Sequence, residues 1–247
     1  MNVSLYQAAA ALNANARWQE LISENLSSAM IPGFKKQELS FSAVEAGLAP
    51  STIGATRFAL PVAGLATNFQ QGEVKYTGVN TDVALDGPGF LEVQLPNGDT
   101  AYTRDGEFHL NAQGELVTKQ GYTVLSDGGT VQVDMNNPAP LSISVTGDVS
   151  QGSDLKGKLK ITNFNDAHLL QNIGNGYFLA RDPKLQATAG TAGVKQGFLE
   201  AANTSAVAEM AQLISAMRSY EANQKIIQTQ DDRMNRAISE LGNPNGA

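Results

Sequence analysis

The 247-residue chain has no cysteine, which removes disulfide staples, thiolate nucleophiles and cysteine-ligated zinc together. Aromatic residues (6%) and charged residues (17%) are both scarce for a compact enzyme. Basic charge is short as well. The net charge of −7 leaves no basic stripe to neutralise phosphates, which argues against nucleic acid as a partner. The acidity is local, because residues 71–150 hold 11 Asp and Glu against 3 Lys and Arg. Long apolar runs are missing too. The first charge is Arg17 and the only apolar run near the start is Ala8–Leu12, so no secretory leader pattern is present. Nothing approaches the ~18 apolar residues of a membrane span. Taken alone, that pattern reads as a soluble, cytoplasmic chain.

Glycine is also unevenly withheld. Of 24 glycines, 22 lie between Gly33 and Gly197, so the stretches 1–32 and 198–241 lack the residue that most weakens a helix interior apart from proline. Proline is absent from both except at Pro32. The first stretch reads as a helix from about Ser4 to Ala29, capped by Asn2 or Ser4 and stopped by Pro32-Gly33. Leu5, Ala9, Leu12 and Ala16 recur at helical spacing, and Ile22, Leu26 and Ala29 follow on a similar face. The last stretch carries a heptad seam through Ala206, Met210, Leu213, Met217, Tyr220, Gln224, Ile227, Asp231, Met234, Ile238 and Leu241. Asn203 can cap its start, and Gly242 with Pro244 marks its end.

Between the helices the pattern changes to short alternating runs. These are Val83/Leu85, Leu91/Val93/Leu95, Phe108/Leu110, Val131/Val133, Leu141/Ile143/Val145 and Leu159/Ile161. Pro96-Asn97-Gly98, Arg104-Asp105-Gly106 and Asp127-Gly128-Gly129 read as turns between them. The expected fold is therefore α+β, mainly β, with an antiparallel all-β domain at 72–197. Residues 33–71 fit neither class and are expected to form an extended connector. A narrow apolar stripe cannot hold an isolated helix in water. The helices at 1–32 and 198–247 are thus expected to pack together as a coiled-coil-like layer, or against neighbouring chains, with the β-domain inserted between them.

Enzyme chemistry finds little footing. Asp86-Gly87-Pro88-Gly89 lies between β-like runs with no Lys-Ser/Thr behind it, so it reads as a tight turn and not as a phosphate cradle. His109 and His168 are the only histidines, and neither sits at ligand spacing. His109 alternates with Phe108 and Leu110 and belongs on the outward face of a strand. No Gly-x-Ser-x-Gly elbow occurs. Two of the eleven carboxylates at glycosidase spacing would be a chance expectation. No catalytic, cofactor or metal residue is assigned.

The stretch from Ile22 through Asn25-Leu26 to Pro32-Gly33-Phe34-Lys35-Lys36 resembles the N-terminal signature of flagellar rod and hook proteins. In that family "I-x-N-N-L-A-N" leads into "T-x-G-F-K". Gly197-Phe198-Leu199-Glu200-Ala201-Ala202-Asn203, with Arg218-Ser219-Tyr220-Glu221-Ala222-Asn223 and Lys225-Ile226-Ile227-Gln228-Thr229, is similar to the family's C-terminal signature. Asp82–Phe90 and Ala101–Phe108 are similar to the rod proteins' β-domain. The chain departs from the pattern at Glu24, Ser28, Met30 and Ile31.

The resemblance implies a structural subunit of the flagellar rod and no enzyme. It implies export through the flagellar type III apparatus without a cleaved signal, and a place in the periplasm-spanning shaft that overturns the cytoplasmic reading. The implied partners are homologous rod and hook subunits and the chain itself in a helical polymer, with no membrane insertion and no small-molecule ligand. The connector at 33–71 is short, which favours the proximal rod protein over the distal one. The assembly interface is expected at Leu5, Leu12, Ile22, Asn25, Leu26, Phe34, Met210, Leu213, Met217, Arg218, Tyr220, Asn223, Ile227 and Met234. Of these, Arg218, Tyr220 and Asn223 would hydrogen-bond to fix register. A β-rich adhesin or carbohydrate-binding module on a coiled-coil stalk is the rival reading from another class.

Overall fold

The computed structural model describes residues 3–49 and 56–241. It is α+β and mainly β: two helices flank a large antiparallel β region. The chain divides into two compact units. One comprises Met1–Leu26, Gln37–Ala66 and Ala206–Ala247, and the other Ser27–Lys36 and Thr67–Ser205.

The first unit holds α1 (Val3–Ser27), the strands β1 (Gln37–Ala49) and β2 (Thr56–Thr67), and α2 (Ala206–Leu241). β1 and β2 pair as a two-stranded sheet. Only six residues join them, too few for a parallel crossover, so the ribbon is antiparallel. Within the expected extended connector at 33–71, residues 37–49 and 56–67 pair as this ribbon. It escapes the alternation test because the apolar phase slips between Phe41 and Val44, and because Pro61 is a residue that central strands exclude. A two-stranded ribbon is all edge, which is where proline can sit.

α1 begins one residue before the expected start, so Ser4 lies inside the helix; the other candidate cap, Asn2, is outside the described residues. The helix ends at Ser27, ahead of Pro32, through a turn in which Ile31 N donates to Ser28 O at 3.0 Å. Its covered face also differs in phase from the expected stripe. Ala14, Leu21, Ile22 and Asn25 are buried, while Ala9 and Ala16 are exposed. The residues expected to end α2, Gly242 and Pro244, lie outside the described residues.

The second unit contains seventeen strands. In chain order they are β3 (Val74–Tyr76), β4 (Val83–Asp86), β5 (Phe90–Gln94), β6 (Thr100–Thr103), β7 (Phe108–Leu110), β8 (Leu116–Thr118) and β9 (Thr123–Ser126). They continue with β10 (Gly129–Thr130), β11 (Leu141–Ile143), β12 (Asp148–Gln151), β13 (Asp154–Lys158), β14 (Ile161–Phe164) and β15 (Gln171–Gly174). The last four are β16 (Tyr177–Leu179), β17 (Ala187–Ala189), β18 (Gly193–Gln196) and β19 (Phe198–Glu200). A ten-stranded sheet runs β15-β16-β6-β5-β9-β8-β7, with β10 on β9, β14 on β5 and β17 on β14. Smaller sheets are β11-β12-β13, β18-β4 and β19-β3.

β5 shows why this unit needs little help from elsewhere. Leu91 and Val93 enter the main core with Val83, Leu85, Ala101, Leu116, Val124 and Val149. Phe90, on the opposite face, joins Phe164, Leu170 and Phe178 in an aromatic cluster, with Phe69 edge-on to it. Glu92 lies buried on that second face, held by Lys160 at 2.9 Å and by the Thr162 hydroxyl. Both faces of the strand are therefore occupied.

The alternating runs are strands in part only. Val131 and Val133 are buried, yet Gln132 between them makes a lone bridge to Glu115 and no strand forms there. Val145 falls beyond β11 and is exposed. His109 is exposed on β7 between Phe108 and Leu110. Pro96-Asn97-Gly98 turns the chain from β5 into β6, with Gly98 N donating to Leu95 O at 2.9 Å.

Candidate functional site

Two features stand out, one in each unit: a buried charged knot and an apolar helix surface. The knot gathers three segments that adjoin passages of the chain between its units, at 33–36, 68–73 and 198–203. Glu200 ends β19, pairing with Val74, and its side chain is fully buried. Its Oε1 accepts from Lys35 Nζ at 2.5 Å and from Gly72 N at 2.9 Å, and its Oε2 from Arg104 Nη1 at 3.3 Å. Lys35 Nζ also donates to Gln70 O at 2.8 Å, and Arg104 Nη2 to Gly87 O at 2.7 Å. The Arg104 guanidinium lies 5.6 Å from the Phe90 ring centroid. One carboxylate thus faces two buried cations, and burial lowers the pKa of both Lys35 and Arg104 against the pull of Glu200.

Asn203, three residues on, ties the same strands a second time. Its Oδ1 accepts from Lys36 N at 2.7 Å, and its Nδ2 donates to Asn68 O at 2.7 Å and Gln70 O at 3.0 Å. It was expected to cap α2. The side chain instead bonds two other segments, and α2 starts at Ala206. Backbone joins in: Gly33 N donates to Glu200 O at 2.7 Å and Asn203 N to Phe34 O at 3.2 Å. Gly33 is required here twice over. Its φ is +67°, and a Cβ would fall 2.2 Å from the Arg104 carbonyl carbon.

Asp105, next to Arg104, is buried and makes no ion pair among the described residues. Burial raises its pKa to about 6, although its carboxylate accepts from Glu107 N at 2.9 Å. Reading Arg104-Asp105-Gly106 as a plain turn missed both charges. The Gly-Phe-Lys and Glu-Ala-Ala-Asn motifs were the signal that pointed to Lys35, Glu200 and Asn203.

The expected interface residues separate into three groups. Ile22, Asn25 and Phe34 are buried inside the chain. Asn25 acts locally. Its Nδ2 donates to Gln37 O at 2.8 Å and its Oδ1 accepts from Gln37 N at 3.0 Å, mimicking a strand partner at the start of β1. Leu12, Leu26, Leu213, Tyr220, Asn223 and Ile227 are half-buried. Met210, Met217, Arg218 and Met234 are exposed. Leu5 lies in α1, and its side chain is outside the described residues.

The seam on α2 is therefore two stripes. The covered one runs through Glu209, Leu213, Ala216, Tyr220, Asn223 and Ile227. The other is open to solvent: Val207 is 78% exposed, Met210 52%, Ile214 55% and Met217 50%. Four large apolar side chains on one helix face at spacings of three and four form a patch of the kind that marks an interaction surface. Among the described residues no group of three or more His, Asp or Glu is placed to hold a metal, and no helix is long and apolar enough to cross a membrane.

Comparison with known proteins gives a consistent picture. Residues 84–151 match the flagellar hook protein FlgE/F/G D1 domain, and residues 195–240 the flagellar basal body rod FlgEFG protein C-terminal domain. The chain is 33% identical to the flagellar basal-body rod protein FlgG of Borreliella burgdorferi, over 94% of this chain and 96% of the relative. It is 32% identical to the FlgF of Caulobacter vibrioides, over 92% of each. It is 30% identical to the FlgG of Bacillus subtilis, over 96% of this chain and 98% of the relative.

Proposed function

The chain belongs to the family of flagellar basal-body rod proteins, and from that footing we propose that it builds the rod shaft as a repeating structural subunit. It polymerises with itself and with homologous axial proteins, and the assembled shaft carries motor torque to the hook. It reaches the basal body through the flagellar type III export apparatus without a cleaved signal. Within the shaft α1 and α2 form the inner helical layer.

The observation that carries this reading is the open apolar stripe on α2. The β-rich unit closes two cores of its own, so it has no need of the stripe. A helix that keeps Val207, Met210, Ile214 and Met217 in water bears a hydration cost that association removes. The family's two names, FlgG and FlgF, are matched at nearly equal identity. We favour the proximal position, on the shortness of the segment between α1 and β3. Antibody labelling of partial rods from mutants arrested at successive stages distinguishes the two positions.

The test of function is complementation. Chains truncated to remove residues 1–26 or 206–247 are expected to leave the β-rich unit folded by circular dichroism and to fail to restore swimming in a strain lacking the gene. Swimming supported by either truncated chain would overturn the proposal.

A further inference from the structure

The open stripe has a matching groove on the same unit. Between α1 and the β1–β2 ribbon lies a cavity of about 280 Å³, with Leu21, Leu39 and Leu65 as its apolar lining. Leu65 is 68% exposed. Arg17, Glu20 and Glu24 line it from α1, at helical spacing on one face. Beyond Met217, the exposed face of α2 continues with Arg218, Glu221 and Lys225. The groove thus offers apolar surface edged by two acids and one base, and the stripe offers apolar surface followed by two bases and one acid.

We propose that this groove receives the Met210–Met217 stripe of α2 from a second copy of the chain, with Arg218 of that copy beside Glu20. The inference rests on the reading of the chain as a polymerising subunit and names the two surfaces that meet. A chain's own α2 does not fill the role, because the stripe remains about half exposed in the folded chain. The two surfaces differ, so the contact is heterologous. Each copy then offers a free groove and a free stripe after joining, and the association continues as an open helical array and does not close as a dimer. The charges bias the register, since a stripe displaced by one turn toward the start of α1 would bring Arg218 against Arg17.

The absence of cysteine makes the test clean. Leu65→Cys and Met217→Cys are made as separate variants, mixed at polymer-forming concentration, or at the highest soluble concentration where no polymer forms, and oxidised briefly. The expected product is a disulfide-linked heterodimer at least tenfold more abundant than either homodimer. A heterodimer no more abundant than the homodimers overturns the proposal, as does a double variant that links within one chain even when diluted. The charge pair gives a second readout. Arg218→Glu and Glu20→Arg are each expected to lower cross-linking about tenfold, and the two variants mixed to recover most of it; no recovery overturns the Arg218–Glu20 register. Copies that polymerise without this cross-link sink the pairing and spare the rod reading. Copies that cross-link yet never enter a rod do the reverse.

Discussion

The two units handle polar and apolar groups in opposite ways. In the β-rich unit the buried charges of the knot and of β5 have partners: Glu200 faces Lys35 and Arg104, and Glu92 faces Lys160 and Thr162. In the helical unit the open stripe of α2 keeps four large apolar side chains, Val207, Met210, Ile214 and Met217, half or more in water. The first pattern belongs to a fold that is complete as a monomer. The second belongs to a surface completed by another chain. On the proposed function, a subunit exported before it polymerises needs both. On that reading, the contrast places function in the unfinished surface of α2.

The sharpest way to break the finished unit is to remove the carboxylate at its knot. Glu200→Ala leaves Lys35 and Arg104 buried together with no counter-charge, and removing one partner of a buried ion pair typically costs about 3–5 kcal/mol. Denaturant unfolding of the β-rich unit measures it. A loss below about 1 kcal/mol would mean that the knot opens to water and that its geometry counts for little.

Next in size is Leu213→Asp. Leu213 lies in the covered stripe of α2 at half burial, so a charge there is costly both to the isolated chain and to its polymer. We expect a loss of about 2 kcal/mol in helix stability and failure of rod assembly. Glu115→Gln serves as the control. Glu115 accepts from Asn111 Nδ2 at 2.9 Å at the turn before β8, and an amide can keep that contact, so stability stays within about 0.5 kcal/mol. Motility and rod yield at matched export separate the two. Normal assembly of Leu213→Asp would remove the covered stripe from the account.

How much of this was readable from residues alone depends on what each feature leaves in the pattern. The helices were readable because glycine and proline are withheld from them. Strands were readable where one face is buried and alternation survives, as at Phe108 and Leu110. They were lost where every residue of a short strand is buried, as along β8 and β16, or where pairing replaces alternation, as in the β1–β2 ribbon. Along the α2 seam hydropathy picks out Met210 and Met217, whereas burial within the chain falls on Ala216 and Glu209. The knot was the least readable part. Its charges come from positions 35, 104 and 200, and three lone charged residues so far apart carry no periodic signature.

A smaller effect probes the finished unit by pH. Asp105 has its pKa raised by burial to about 6, so its protonated form is favoured in the folded state. The stabilisation is fully present below the ordinary carboxylate pKa near 4 and is lost as pH rises through about 6. Between pH 7 and pH 5 the β-rich unit should therefore gain about 1 kcal/mol. Asp105→Asn should abolish the dependence. Chemical unfolding at the two pH values checks it, and a flat profile in the unaltered chain would contradict the burial of Asp105 as an unpaired acid.

The smallest effect on the isolated chain should carry the largest biological consequence. Met217 is half exposed on the open stripe, so Met217→Lys places its charge in water and removes little buried surface. Thermal stability should move by no more than about 0.5 kcal/mol. Assembly is another matter, because every copy in a polymer repeats the same contact. A lysine forced into an apolar interface must either lose its hydration or hold the helices apart, and either penalty recurs at each step of growth. The critical concentration for polymerisation should rise by about tenfold for each 1.4 kcal/mol of that penalty. Pairing unfolding curves with sedimentation of seeded polymer gives both quantities on one preparation. An unfolded monomer would show that the open stripe is part of the chain's own core, and an unaffected polymer would show that neighbours meet elsewhere. Only an intact monomer that no longer polymerises keeps the division between a finished unit and an unfinished one.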